Sequence, residues 1–147
     1  DALPIYYPAP DELPADIRVV FLFGDPVRAV LSTLNNRHTW GHFRYCGYQG
    51  DEWPDLYNED ALGYEHIFDS WTAPNDYPVL AVRFERLWAY QSLVEDFIER
   101  PLALPPYRAR STEPPREQAQ HLRRVYGGLV EKVAAAPDLC VHGGHAG

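Results

Sequence analysis

Val19-Val20-Phe21-Leu22-Phe23-Gly24-Asp25-Pro26-Val27-Arg28-Ala29-Val30-Leu31-Ser32 is the stretch that decides the fold class. Its first five residues are apolar and mostly β-branched or aromatic, which predicts a buried parallel strand. The run stops at Gly-Asp-Pro. Pro26 then falls where a helix tolerates a missing N–H, and Val27, Val30, Leu31 and Leu34 lie on one helical stripe. Strand, tight turn and helix N-terminus form the unit at which α/β proteins hold phosphates and nucleotides. In that reading the turn at Gly24 and Asp25 offers backbone donors, and Ser32 faces the ligand side. An ordinary βα unit with no ligand would carry the same pattern.

Outward from this stretch, the chain alternates. Residues 1–16 hold Pro4, Pro8, Pro10 and Pro14 and are expected to be extended. The helix opened by Pro26 should end near Asn36. Residues 37–60 form a long connection, too aromatic for a solvated linker, with His38, Trp40, His42, Phe43, Tyr45, Tyr48, Trp53 and Tyr57. Leu62, Ile67, Phe68 and Trp71 predict an amphipathic helix over 61–72. Residues 77–84 read as a second buried strand, 85–99 as a helix with Leu87, Trp88, Leu93, Val94, Phe97 and Ile98 inward, and 116–135 as a last helix weakened at Gly127-Gly128. Leu139 to Val141 suits a short strand, and 142–147 a flexible tail. The expected fold class is α/β, three-layered around a mainly parallel sheet, within a single domain spanning 1–147. Two long apolar strands leave that sheet incomplete, to be finished by residues before Asp1 or by another chain.

Composition narrows the function. A chain of 147 residues with 46% hydrophobic and 14% aromatic content can bury a sizeable core. Its net charge of −8 argues against a broad nucleic-acid face, which needs basic residues to displace counterions. Twelve Arg against the single Lys132 still allow a local anion site, since the guanidinium fork matches phosphate. Cys46 and Cys140 form no CxxC pattern, and no secretory or membrane-spanning apolar run is present. A reduced, cytoplasmic protein without a membrane partner is the expectation.

Three ordered segments carry a resemblance. Residues 23–32, FGDPVRAVLS, are similar to the strand-turn-helix that grips the 3′-phosphate in the sulfotransferase branch of the P-loop nucleotide-binding proteins. Residues 77–88, YPVLAVRFERLW, resemble that family's strand ending in Arg-Tyr-Glu-x-Leu. Residues 104–111, LPPYRARS, resemble the Pro-then-basic segment that follows. The resemblance covers residues 17–141 and is nearest to divergent bacterial and viral-type members. It implies a P-loop, sulfotransferase-like fold and transfer of a sulfuryl group from 3′-phosphoadenosine 5′-phosphosulfate to a hydroxyl or amine on a small-molecule or carbohydrate acceptor, with no metal. It implies donor contacts at Gly24, Asp25, Arg28 and Ser32, and at Arg108, Arg110 and Ser111, which with Thr112 read either as the best anion-binding cluster outside the turn or as a solvated basic loop. Ser32 stands at the family's Ser position, with Arg28 one helical turn before it. The family's usual Arg at the start of the turn is Gly24 here. No Gly-rich loop followed by Lys-Ser or Lys-Thr is present, and the resemblance places that loop upstream of Asp1. The chain is therefore expected to be the C-terminal part of such a domain, or a non-catalytic binding or interaction remnant of it that completes its sheet as a homo-oligomer.

Other residues stay open between two readings. His38 and His42 are candidates for the general base that takes the acceptor's proton, since neutral imidazole accepts one near neutral pH. Their spacing of four also suits metal ligands, but no supporting Cys or carboxylate follows at short range. Glu85, at the end of the second strand, stands between an acid/base group and the structural carboxylate that the resemblance implies, with Arg83 and Arg86 as candidate partners. His142-Gly-Gly-His145 has the spacing of a chelating tail and the position of a frayed one. Ser111 lacks a GxSxG context, which argues against hydrolase chemistry.

Overall fold

The structure, a computed structural model, describes residues 7–35, 40–109 and 112–144. Along the chain run strand β1 (Val19–Phe23), helices α1 (Pro26–Asn35), α2 (Trp40–Tyr45) and α3 (Tyr64–Trp71), strand β2 (Val79–Arg83) and a 3-10 turn (Phe84–Arg86). Helices α4 (Gln91–Ile98), α5 (Arg116–Val125) and α6 (Gly127–Ala135) and strand β3 (Leu139–His142) follow. The chain divides into two compact units. One comprises Asp1–Ala9, Asp25–Ser70 and Pro114–Ala135; the other comprises Pro10–Gly24, Trp71–Glu113 and Ala136–Gly147.

The second unit holds the sheet, in the order β1-β2-β3. β1 and β2 pair in parallel with Val19 opposite Val79 and Phe23 opposite Arg83. β2 is buried on both faces, which is why its sequence reads as a continuous apolar run. On one face Leu80 and Val82 pack with Leu87 and Val94, ringed by Val20, Trp88, Phe97, Leu102, Leu104 and Leu139. Each such aliphatic side chain contributes about 1.5–3 kcal/mol by leaving water. On the other face Val79 and Ala81 are buried and Phe21 stacks on Trp71, with ring centroids 6.4 Å apart.

The mainly parallel sheet expected from the sequence is a mixed one in the structure, because β3 runs antiparallel to β2. The reason is local. The backbone N–H of Arg83 donates to the Asp138 carbonyl at 2.8 Å, and the Arg83 guanidinium donates to the Asp138 carboxylate at 2.8 Å and to the Ala136 carbonyl at 2.8 Å. This clamp starts β3 at the carboxyl end of β2, so β3 can only run back along it. The expected helix over 85–99 is likewise corrected to a 3-10 turn followed by α4, and Leu93 is half exposed rather than inward. α4 ends with Glu99 in the left-handed conformation just before Pro101, which cannot continue a helix.

The first unit is helical. α1 packs on α5 and α6 through Val27, Val30 and Leu31, while Leu34, in its last turn, is exposed. The last helix breaks in two at Tyr126, whose N–H still bonds Leu122 O at 2.8 Å. Tyr126 is buried, and its hydroxyl donates to the carbonyls of Leu56 at 2.7 Å and Glu59 at 3.0 Å. The aromatic connection is thus pinned to the helical core at Leu56 and Glu59.

Candidate functional site

Asp25 is the N-cap of α1. Its carbonyl accepts the Ala29 N–H at 3.0 Å, and its carboxylate accepts the Val27 N–H at 2.9 Å. The carboxylate also lies 3.8 Å from Arg28 Nε. An internal anion therefore already sits where the helix dipole would attract a phosphate. Ser32 is exposed one turn beyond Arg28, so the two side chains occupy neighbouring positions on the same helix. Gly24 has an ordinary backbone φ, and a Cβ built there meets nothing within 4 Å. No conformational demand keeps Gly at this position.

Of the other expected donor contacts, Arg108 is exposed in the extended segment after Leu104 and belongs to the unit that holds the sheet. Arg110, Ser111 and His38 lie outside the described residues. His42 is half-buried on α2, with its ring edge-on to Phe43 and Nε2 3.9 Å from Cys46 Sγ. Burial pushes the Cys46 thiol up to about 11, so it meets His42 as a neutral thiol.

At the carboxyl ends of β1 and β2, where open α/β sheets bind ligands, the structure places charge that pairs within the chain. Arg83 lies over the Phe23 ring at 4.9 Å, and Arg86 Nε stands 3.6 Å from the same Asp138 carboxylate that holds Arg83. The expected partner Glu85 is replaced in this role by Asp138. Its distance in sequence left no signal, since only the β2–β3 pairing brings it there. His121 was equally silent. It stacks on Tyr57 at 4.1 Å and donates from Nε2 to the Tyr57 carbonyl at 2.9 Å.

Among the described residues no three His, Cys, Asp or Glu side chains converge as a metal group, and no helix is long and apolar enough to cross a membrane. Comparison with known protein families, curated proteins and solved structures gives no match.

Proposed function

We propose that the chain is a sulfotransferase-like domain that holds the 3′-phosphate of 3′-phosphoadenosine 5′-phosphosulfate on α1, through Arg28 and Ser32. The observation that carries the reading is the pairing of these two groups one turn apart on the helix that follows β1. The parallel register of β1 with β2, and the Pro-then-basic segment after α4, agree with the order the resemblance requires. Arg28 would supply a charge-assisted fork and Ser32 a hydroxyl donor to one phosphate. The bound donor would supply the sulfuryl group, passed to a hydroxyl or amine aligned with the leaving phosphate.

Calorimetric titration with adenosine 3′,5′-bisphosphate tests this. Binding is expected, and Ser32→Ala should weaken it about tenfold, the scale of one hydrogen bond to a charged group. A folded chain with no measurable heat would overturn the reading in favour of a non-catalytic interaction module. One observation favours that second reading: the Asp25 carboxylate already accepts the Val27 N–H at the start of α1.

A further inference from the structure

Residues 40–53 build an aromatic cluster on and after α2, within the helical unit. Phe43 is its buried floor, edge-on to Trp53 at 4.7 Å and to Trp40 at 5.8 Å. Trp40 stacks on Tyr48 at 6.2 Å and meets Trp53 edge-on at 5.5 Å. Tyr48 is fixed in turn, since its hydroxyl donates to the Glu52 carbonyl at 2.7 Å and its ring lies where a Cβ on Gly50 would stand. The cluster already seats one cation of the chain itself. The Arg44 guanidinium lies 5.3 Å from the Trp40 centroid and 5.9 Å from that of Tyr48, and donates to the Tyr48 carbonyl. Trp53, by contrast, keeps 59% of its surface exposed.

Charge selects what this remaining surface suits. Residues 40–60 carry Arg44 against Asp51, Glu52, Asp55, Glu59 and Asp60. Asp55 and Asp60 are engaged with backbone N–H groups. Asp51 and Glu52, the two residues before Trp53, are exposed, and among the described residues neither is in an ion pair. We propose that Trp53, with Asp51 and Glu52, docks an arginine-rich segment of a partner protein, a guanidinium stacking on the open indole as Arg44 does on its neighbours. The complementarity is threefold: an open ring, unneutralised carboxylates beside it in sequence, and a cluster that demonstrably accommodates a guanidinium. This inference is independent of the nucleotide reading.

The test is titration of the whole chain with a nona-arginine peptide, following the indole N–H resonances and tryptophan fluorescence. The Trp53 resonance should shift most, binding should weaken as salt rises, and nona-lysine should bind more weakly. Trp53→Ala should weaken binding about two- to five-fold, the scale of an exposed cation–π contact. Asp51→Asn with Glu52→Gln, both at exposed positions that leave the rings in place, should weaken it comparably. Unchanged affinity in both variants would reduce the effect to general attraction by an acidic chain and overturn the proposal. So would absence of binding, or a shift of the Trp53 resonance by glucose and not by the peptide, which would mark a sugar platform.

Discussion

Gly24 is the residue at which the proposed nucleotide site is most directly open to test. It replaces the Arg that the resemblance expects, yet a side chain there would meet open space and no unusual φ. Gly24→Arg should therefore fold normally and strengthen adenosine 3′,5′-bisphosphate binding by about tenfold or more, the scale of a charge-assisted contact. Unchanged affinity in a folded variant would mean that the phosphate does not lie by this turn. A second residue-level expectation concerns Cys46. Burial raises its folded value from 9.0 to about 11, while the unfolded thiol ionises from near the ordinary value. The native state thus holds a proton that the unfolded state has released, and this contribution to stability is lost as pH rises from 9 toward 11. With a thiol reagent at pH near 8, half-buried Cys140 should react first and Cys46 only as fast as the chain opens. Equal rates for the two would contradict the burial of Cys46.

Elements were legible where one residue pattern answered to one environment. The run at 79–83 is apolar because it is buried on both faces, whereas 19–23, which reads the same way, is an edge strand with only Val19 and Phe23 buried and Leu22 exposed. Helix ends were harder, since they depend on partners remote in sequence. The last helix divides beside Gly127-Gly128, where its sequence is weakest, but the tie of the Tyr126 hydroxyl to carbonyls near residue 57 left no trace, and β3 turns back because Asp138 meets Arg83. The candidate site was legible as residue types on α1, and the capping of that helix by Asp25, two residues from Val27, and the Cys46 neighbour of His42, four residues on, are equally local. Two backbone positions give the element scale its measurement. Gly143, at φ 71°, has the carbonyls of Asn75 and Tyr77 where a Cβ would stand. Backbone atoms cannot move aside as a side chain tip can, so Gly143→Ala should cost about 2–4 kcal/mol in urea unfolding, combining left-handed strain with overpacking. Glu99, also left-handed, is the reverse case. Glu99→Gly should stabilise the chain by about 0.5–1 kcal/mol by relieving that strain at the end of α4. A smaller loss at Gly143 than at an exposed helical site would refute the packing seen around β3.

For the whole molecule, the telling feature is how the chain threads its two units. Each unit is assembled from three separate segments, and the chain passes between them at residues 9/10, 24/25, 70/71, 113/114 and 135/136. Neither unit is therefore a stretch that can be cut out. The helical unit needs α5 and α6 beneath α1, with Leu122 fully buried and Tyr126 tying down the aromatic connection. The sheet needs β3 along β2, with Asp138 closing on Arg83. All of these lie after Glu113. A fragment ending at Glu113 keeps β1, β2 and α1 to α4, including every described residue of the proposed nucleotide site, yet removes structural partners from both units at once. Deleting that much buried surface exceeds the small net stability of an ordinary domain, about 5–15 kcal/mol. The fragment should show no cooperative thermal transition and no binding of adenosine 3′,5′-bisphosphate, whereas the full chain shows a cooperative transition. A fragment that melts cooperatively with native-like circular dichroism would refute the threading, and with it the view that the segments after Glu113 complete both units.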